Sequence, residues 1–329
     1  MKQDLIDSLD QIKGQRILVL GDMIADIYLE GIISRISREA PVLVLEQADE
    51  HIVAGGAANV VNNAATLGGQ VFAVGLVGLD NGAKGLKAIL DGNGANTNGL
   101  FCDEKRPTIA KTRIIAGGRA TVSQQIVRLD KSSKEPMTPA FESQLLQYLE
   151  QTLPHISGVV LSDYGCGTIT EKIKKWLLDW CRKHEIPSIV DSRYDILRFR
   201  GVDYIKQNDA ELAAAVGRTL ASSDDLYDAG QKLLHDMDAR GVLITRGEKG
   251  MVLFEADGAI HDIPVSDKSE VYDVSGAGDT CVATVILALA AGIEPAQAAE
   301  LSNIASGIAV RKLGTATVSA EELRAAVEG

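Results

Sequence analysis

The sequence has 329 residues, of which 46% are hydrophobic and 24% are charged. That composition argues against a disordered chain, and the length is sufficient to bury a full hydrophobic core. The formal net charge of −12 argues against nonspecific binding to nucleic acid or to an anionic membrane, because both favour basic surfaces. A small pocket of Arg and Lys on an acidic protein is still compatible with an anionic substrate.

The termini and the cysteines bear on the cellular compartment. Residues 1–15 are polar and carry no apolar segment with a small-residue cleavage site, so no signal peptide is predicted. The longest apolar run, 281–293, is shorter than the roughly 20 residues that a membrane span needs. The four cysteines are widely spaced and are typical of free thiols in a reducing compartment: Cys102, Cys166, Cys181 and Cys281. These features predict a cytoplasmic protein.

Short apolar runs that end in polar residues or glycine recur along the chain and predict buried strands. In chain order these strands are 16–21, 70–77, 158–162, 188–191, 204–207 and 241–245. Amphipathic stretches between them, such as 171–184 and 225–239, predict helices. Strands that alternate with helices form right-handed βαβ units, so the predicted fold class is α/β, with a mostly parallel sheet flanked by helices. Ligands of such sheets bind beyond the carboxyl ends of the strands.

Two regions depart from this alternation. Residues 26–48 and 107–129 are rich in β-branched side chains and lack a helical period, and the second region is predicted as two strands joined across Ala116–Gly118. Four such strands predict a small sheet that projects from the main body. An exposed sheet face needs a partner, either a substrate or a second subunit. Without an internal repeat or a linker, residues 1–329 are predicted to form a single domain.

The segment YDVSGAGDT, at 272–280, has the clearest chemistry and precedes an apolar helical stretch. Gly276, Ala277 and Gly278 before a helix allow backbone N–H groups to converge on a phosphate oxygen, and the helix dipole adds positive potential. Asp279 is within reach of the same point and is predicted to accept the proton of an attacking hydroxyl. The alternative is that Asp279 only favours the helix start by its charge.

A second glycine-rich segment predicts a sugar site. Gly55 and Gly56 precede another helical stretch and permit close backbone approach, and Asn59 offers both donors and an acceptor to sugar hydroxyls. Asp22 and Asp26 follow the first predicted strand, and one of these carboxylates is predicted to bind sugar hydroxyls. The alternatives are an ordinary glycine-rich helix start and a turn-capping aspartate.

Two further strand ends suggest a nucleotide site. Asn208 and Glu211 follow strand 204–207, and a glutamate near phosphates suits a hydrated Mg²⁺, which accepts few protein ligands. A helix capping box formed by the same two residues is the alternative, and the two interpretations are compatible. TRGEKG, at 245–250, is by itself a turn at which a nucleotide can lie. The sequence contains no Walker loop and no GxGxxG after the first strand, which argues against an NAD-dependent oxidoreductase.

In their order along the chain, these motifs resemble those of the ribokinase/PfkB carbohydrate kinases, from about residue 16 to about residue 318. The resemblance implies an ATP-dependent sugar kinase in which Asp279 is the base, 276–278 form the anion hole, and Asn208 and Glu211 organise Mg²⁺, Glu211 through water. It places Thr245, Gly247 and Asn303 in the nucleotide site. It also implies that the small sheet is a substrate lid that doubles as a homodimer interface. Some relatives bind a monovalent cation, for which the corresponding segments here are 273–275 and 310–315.

Within that family, SRISREAPV at 34–42 is similar to the lid segment of the D-glycero-D-manno-heptose 7-phosphate kinases of lipopolysaccharide-precursor synthesis. The implied reaction phosphorylates the C1 hydroxyl of the heptose 7-phosphate in ADP-heptose synthesis. A substrate that already carries a phosphate calls for fixed cations beside the sugar. The lid offers five, of which Lys111 and Arg128 are expected at the phosphate: Arg35, Arg38, Lys111, Arg113 and Arg128.

The sequence departs from that group at two positions that bear on the substrate. Cys166 stands where the group has Lys, and Arg193 stands where the group has Lys after Asp-Pro. A kinase of the same fold that acts on another sugar or sugar phosphate is therefore the first alternative, and a sugar-phosphate sensor without catalysis is the second. Many members of the group also carry a nucleotidylyltransferase with an HxGH motif, which this sequence lacks. The expectation is a kinase that relies on a separate adenylyltransferase.

Overall fold

The computed structural model describes residues 2–117, 123–266 and 271–329, and these residues form two sheets with flanking helices. The strands are β1 (Arg16–Gly21), β2 (Met23–Ile36), β3 (Leu43–Gly56), β4 (Gln70–Val77), β5 (Asn96–Cys102), β6 (Ile109–Gly117), β7 (Gln124–Lys131), β8 (Gly158–Asp163), β9 (Ser188–Ser192), β10 (Tyr204–Asn208), β11 (Gly241–Thr245), β12 (Met251–Glu255) and β13 (Ile260–Ile263). The α-helices are α1 (Lys2–Ile12), α2 (Ala57–Thr66), α3 (Asn81–Gly92), α4 (Pro139–Thr152), α5 (Glu171–His184), α6 (Asp209–Val216), α7 (Ser223–Met237), α8 (Ala277–Ala290), α9 (Pro295–Ala309) and α10 (Ala320–Glu328). None of the helices within these ranges is long and apolar enough to cross a bilayer.

The larger sheet has the strand order β13-β12-β11-β10-β9-β8-β1-β4-β5. The strands from β5 to β11 in that order run parallel, and β12 and β13 add an antiparallel hairpin at one edge. The central strands β1 and β8 are buried almost throughout, as expected when helices cover both faces of a parallel sheet. The predicted α/β class is confirmed, and β5, β12 and β13 are strands that the sequence analysis did not identify.

The alternation of side chains along β1 divides the core into two layers. Ile17 and Val19 belong to the cluster that includes α2, α8 and α9, whereas Leu18 and Leu20 belong to the cluster that includes α4, α5 and α7. Successive side chains of a strand point to opposite faces, so one short apolar run supplies both layers. β1 is thus the centre of the fold, and the residues that follow it lie at the carboxyl edge of the main sheet.

The smaller sheet, called the lid sheet below, has the order β3-β2-β6-β7. β2 pairs antiparallel with β3 and parallel with β6, and β6 pairs antiparallel with β7. The predicted small sheet is therefore present, and β2 and β3 extend beyond the predicted region 26–48. Ala116 lies within β6 rather than in a turn, and Gly118 lies outside the described residues.

The connections attach the lid sheet to the carboxyl end of β1. Asp22 alone separates β1 from β2, and β3 leads directly into α2. The base of the lid sheet therefore lies at the edge of the main sheet where the parallel strands end, which is the ligand-binding edge of such sheets.

Candidate active site

Two glycines at the start of α8 lie at close approaches to neighbouring elements. Gly276 has φ +81°, and a Cβ there would lie 2.6 Å from Asn59 Nδ2. A Cβ on Gly278 would lie 2.6 Å from Lys206 Nζ. The missing side chains let α2 and β10 approach the first turn of α8, whose N-terminal end carries a partial positive charge. Asp279, which follows immediately, is buried in that turn.

The Asp279 carboxylate receives two side-chain hydrogen bonds. Asn59 Nδ2 donates to Oδ2 at 2.8 Å, and the hydroxyl of Tyr164 donates to Oδ1 at 3.2 Å. Burial raises the pKa of Asp279 to about 6, and the negative charge of Asp191 acts in the same direction. The bond from Asn59 and the positive charge of Lys206 oppose that rise in pKa. A carboxylate with this pKa is ionised near neutral pH and can still take up a proton, as a general base must.

A buried ion pair lies behind the start of α8. Lys206 Nζ of β10 is 2.9 Å from Asp191 Oδ2 of β9, and both side chains are largely buried. Burial disfavours the charge on Lys206, but the charges of Asp191 and Glu211 outweigh burial and raise its pKa. The sequence analysis missed Lys206. The signal was available, because Asp191 ends one predicted strand and Lys206 is the residue before the end of the next, and strand ends gather at one edge of a parallel sheet.

A cavity of about 740 Å³ lies between β10, β11, α8 and α9, and Gly278 is part of its lining. Polar and glycine residues line one part of it, and Met251, Val265, Val274 and Val310 line another. The lining includes the residues predicted for the nucleotide and for the anion hole, apart from Glu211 and Gly276: Asn208, Thr245, Gly247, Asn303, Ala277 and Gly278. An apolar surface with a few convergent polar groups suits a nucleotide.

Asn208 and Glu211 form the capping box of α6, the alternative that the sequence analysis left open. Asn208 Oδ1 accepts from the backbone N–H of Glu211 at 2.8 Å, and Glu211 Oε2 accepts from the backbone N–H of Asn208 at 2.9 Å. Burial raises the pKa of Glu211, and Asp191 adds to that rise. The box leaves Glu211 Oε1 outside the capping bonds, so the carboxylate keeps an oxygen that can face a hydrated cation.

Asp26 and Arg113, both predicted to bind substrate, form an ion pair at the base of the lid sheet. Arg113 Nη1 lies 2.6 Å from Asp26 Oδ1, and both side chains are mostly buried. Gly55 lies against the same carboxylate, since a Cβ on Gly55 would collide with Asp26 Oδ2. The Arg113 guanidinium also lies 5.3 Å from the centre of the Tyr28 ring. These contacts fix Asp26 in one orientation at the lid base.

Lys111 lies beside Tyr164, the residue that donates to Asp279. Its Nζ is 5.0 Å from the centre of the Tyr164 ring, a cation–π contact. Burial lowers the pKa of Lys111, Asp26 opposes that effect, and the positive charge of Arg193 lowers the pKa further. Lys111 is therefore a partly desolvated cation that contacts Tyr164, whose hydroxyl bonds to the candidate base.

Asp22 occupies a different place from the one that the sequence analysis proposed. Its side chain is 0% exposed. Its carboxylate accepts from the backbone N–H groups of Tyr164 at 2.8 Å, Cys166 at 3.0 Å and Thr168 at 3.4 Å. Burial raises the pKa of Asp22, and these hydrogen bonds oppose the rise. Asp22 thus anchors the loop that carries Tyr164, which corresponds to the alternative of a structural strand-end aspartate.

The remaining lid cations lie on the surface. Arg128 of β7 forms two hydrogen bonds to the Asp130 carboxylate, both 2.8 Å long, and its side chain is half exposed. Arg35 and Arg38 are also exposed. Of the predicted phosphate-binding cations, Lys111 and Arg113 on β6 are therefore partly buried, while Arg128, on the strand beside Arg113, and Arg35 and Arg38 are exposed.

A parallel sheet, a lid sheet beside its strand ends and a buried aspartate at a helix start thus lie together at one edge of the fold. The chain belongs to the pfkB family of carbohydrate kinases, whose family model matches residues 15–323. It is therefore a sugar kinase, as the resemblance implied.

Curated relatives agree with this assignment, and solved structures agree with the fold. The chain is 39% identical to the bifunctional protein HldE of Geobacter metallireducens, covering 93% of this chain and 61% of that protein. It is 40% identical to the HldE protein of Granulibacter bethesdensis, with 95% and 65% covered. The chain thus spans less than two thirds of the length of these relatives.

Arabidopsis thaliana ribokinase complexed with ribose and ATP has a TM-score of 0.74 at 20% identity, covering 96% of this chain and 99% of that one. Escherichia coli phosphofructokinase-2 in complex with substrates and products has a TM-score of 0.74 at 20% identity, with 96% and 98% covered, and at these identities the likeness establishes the fold.

The buried ion pair generates a prediction about stability. Lys206→Met leaves the Asp191 carboxylate buried without its partner, so we expect the free energy of unfolding to fall by about 3–5 kcal/mol. Asp191→Asn added to Lys206→Met removes the uncompensated charge and should recover more than half of that loss. Urea denaturation at pH 8 of the wild type, both single variants and the double variant gives the coupling energy. Strictly additive losses would contradict the pairing.

Proposed function

We propose that the chain transfers the γ-phosphoryl group of ATP to the C1 hydroxyl of D-glycero-D-manno-heptose 7-phosphate, giving the 1,7-bisphosphate and ADP. The observation that carries the proposal is the position of Asp279, a buried carboxylate between the cations of the lid base and the cavity beside α8. The likeness of 34–42 to the lid segment of heptose 7-phosphate kinases supports the choice of sugar, as does the match of HldE proteins over 93–95% of the chain.

In this proposal Asp279 takes the proton of the C1 hydroxyl as its oxygen attacks the γ-phosphorus. Asn59 and Tyr164 orient the carboxylate for that transfer. The backbone amides at 276–278 and the start of α8 stabilise the negative charge on the moving phosphoryl group. Lys206 adds a fixed positive charge behind Gly278, where it can act in a region shielded from water.

The nucleotide occupies the cavity between α8 and α9. Thr245, Gly247 and Asn303 line it, and Asn303 Nδ2 also donates to the carbonyl oxygen of Pro264 at 2.6 Å, which holds the segment that borders the cavity. Asn208 lines the same cavity through the end of β10. These residues bind and orient the nucleotide, and the lid sheet excludes water from the transfer.

A hydrated Mg²⁺ fits the donors present. Mg²⁺ neutralises phosphate charge during transfer and binds proteins through one or two carboxylates while keeping several waters. Glu211 offers one carboxylate oxygen outside its capping bonds, which suits a water-mediated contact. The segments proposed for a monovalent cation lie together, because Asp273 accepts from the N–H of Ser275 at 2.8 Å and from that of Gly314 at 3.1 Å.

For the substrate phosphate we favour Lys111 over Arg128. The guanidinium of Arg128 is already paired with Asp130, whereas the ammonium of Lys111 lies over the Tyr164 ring. The positive charges of Arg193, Arg113 and Arg128 all act on Lys111 and lower its pKa. Several cations therefore act on one region beside the candidate base, which is where a sugar phosphate needs them.

The substrate assignment predicts a narrow specificity. Coupled ADP release with Mg-ATP should be fast with D-glycero-D-manno-heptose 7-phosphate and slow with fructose 6-phosphate, ribose and unphosphorylated heptose.

Lys111→Met should raise the KM for the heptose phosphate about tenfold or more, the effect of losing one charge-assisted contact, without changing the KM for ATP. Arg38→Met, which removes an exposed lid cation, is the matched control and should stay near the wild-type KM.

Other outcomes of the same panel discriminate between the alternatives. Preference for another sugar would favour a different substrate and would direct attention to Cys166 and Arg193, where the sequence departs from the heptose kinases. Absence of ADP release with every sugar, although sugar phosphate binds, would favour a sensor without catalysis.

The role of Asp279 predicts opposite effects on activity and on stability. Asp279→Asn should leave ATP binding intact and lower kcat by at least about 100-fold, because the proton acceptor is lost. Activity of the wild type should fall below about pH 6, where the carboxylate becomes protonated.

The folded-state pKa of Asp279, about 6, exceeds the ordinary 3.8, so the ionised carboxylate present above pH 6 lowers the free energy of unfolding. Thermal or urea unfolding should therefore show Asp279→Asn to be more stable than wild type at pH 8 by up to about 3 kcal/mol, with the difference shrinking toward pH 4. A variant that keeps most of the wild-type rate would remove Asp279 from this role.

We further propose that two copies associate through the outer part of the lid sheet. Val127 and Leu129 alternate with Arg128 on β7, so both lie on the face of the lid sheet opposite to Arg128, and both are exposed. An apolar group of this kind is typical of a contact surface. Sedimentation equilibrium should give twice the chain mass of 35.0 kDa. Leu129→Lys should give the monomer, whereas Leu197→Lys, at an exposed apolar position on the main body, should leave the dimer intact. A monomeric wild type would exclude this interface.

A further inference from the structure

A chain of buried side chains connects α8 to Asp279 by way of α2. Thr280 Oγ1 donates to Asn63 Oδ1 at 3.0 Å, Asn63 Nδ2 donates to Asn59 Oδ1 at 3.0 Å, and Asn59 Nδ2 donates to Asp279 Oδ2 at 2.8 Å. Thr280, Asn63 and Asn59 are all 0% exposed. Asn63 does not line the cavity beside α8, and no function has been given to it above.

The hydrogen bonds of Asn63 decide which end of the Asn59 carboxamide faces Asp279. A carboxamide can present either its oxygen or its nitrogen, and the partners determine which. Asn63 Nδ2 lies 3.0 Å from the backbone carbonyl oxygen of Asn59, which can only accept. The nitrogen of Asn63 must therefore face Asn59, and the same nitrogen then requires the oxygen of the Asn59 side chain. This arrangement leaves only Nδ2 of Asn59 to face Asp279.

We propose that Asn63 is a positioning residue, which holds the Asn59 carboxamide in the orientation that donates to Asp279 and thereby keeps the base ionised. The proposal rests on the proposed role of Asp279. If the Asn59 side chain rotated by 180° about its last bond, Oδ1 would face a carboxylate oxygen instead. Two acceptors at hydrogen-bonding distance repel each other unless the carboxyl group is protonated, so the rotated form favours the inactive acid.

The other groups that face Asp279 do not compensate for a lost bond from Asn59. Asp191 of β9 favours the protonated carboxyl group, while Lys206 of β10 and the hydroxyl of Tyr164 favour the ionised one. Burial is the largest influence and raises the pKa, and the bond from Asn59 is the largest influence that lowers it. Asn63 therefore positions the hydrogen bond from Asn59, which most strongly favours the ionised form of Asp279.

The test compares pH profiles of two adjacent asparagines on α2. Asn63→Leu removes both donors and the acceptor while keeping the branched outline of the side chain. It should move the acidic limb of kcat/KM upward by about one pH unit, an approximately fivefold loss at pH 6. At pH 8.5 the rate should return to within a few-fold of wild type, and the KM for ATP should not change. Asn62→Leu is the matched control, because Asn62 is also buried but accepts from Asn93 Nδ2 at 2.6 Å instead. Its acidic limb should coincide with that of wild type.

A purely structural role for Asn63 would give a different result. In that case Asn63→Leu would lower stability, and it would lower kcat by a factor that does not change with pH. The acidic limb would then stay in place. This outcome would overturn the proposal.

A second variant keeps the test decisive if Asn63→Leu does not fold. Thr280→Val removes the hydroxyl that donates to Asn63 Oδ1. The acidic limb should again move upward, by less than in Asn63→Leu, and Thr280→Ser should restore it because serine keeps the hydroxyl. A Thr280→Val profile identical to wild type would count against the chain of hydrogen bonds.

A direct titration separates this proposal from the proposed role of Asp279. In protein labelled with ¹³C-aspartate, the side-chain carboxyl signal of Asp279 is the one absent from Asp279→Asn, and its midpoint can be followed without turnover. A higher midpoint in Asn63→Leu than in wild type supports the positioning role even if Asp279→Asn proves active. An unchanged midpoint would overturn it even if Asp279 proves to be the base.

Discussion

The burial of the Asp279 carboxylate is the constraint on which the rest of the site depends. A carboxylate removed from water is unfavourable unless donors and positive charge compensate for the lost hydration. Here the compensation comes from Asn59 on α2, Tyr164 after β8, Lys206 on β10 and the first turn of α8. These parts of the chain are far apart in sequence, so the site exists only when the strand order of the main sheet has formed.

The same constraint explains why the carboxyl end of β1 is so densely packed. Asp22 holds the loop that carries Tyr164, and the lid sheet begins at the next residue. β3 then returns to α2, which carries Asn59 and Asn63. Asp22 thus lies between the base of the lid sheet and the loop of Tyr164, whose hydroxyl bonds to one oxygen of Asp279. Asn59 of α2 bonds to the other oxygen.

Much of this arrangement could be predicted from the sequence, because it depends on local patterns. β1, β4, β11 and α5 begin and end where their apolar runs and helical periods do. The capping box of α6 was also foreseeable, since its two partners are three residues apart. Two features depend on contacts between distant segments and leave no local pattern: the bond from Thr280 to Asn63, and the burial of Asp22 under a loop more than 140 residues away. β13 was missed because it has four residues with only partial alternation, whereas β12 is an apolar run as long and as buried as the predicted strand β11.

The cations of the lid show why composition alone could not select among them. Arg128 and Asp130 are two residues apart on β7, so their side chains share a face and pair with each other. Arg113 is paired with Asp26 across the lid base. The positive charge of each arginine is thus already balanced by a neighbouring carboxylate, whereas Lys111 lies over the Tyr164 ring and its pKa is lowered by burial and by neighbouring cations. A phosphate dianion at Lys111 would replace that unfavourable environment with a favourable one, so recognition of the anion and order at Tyr164, beside the base, would depend on the same contact.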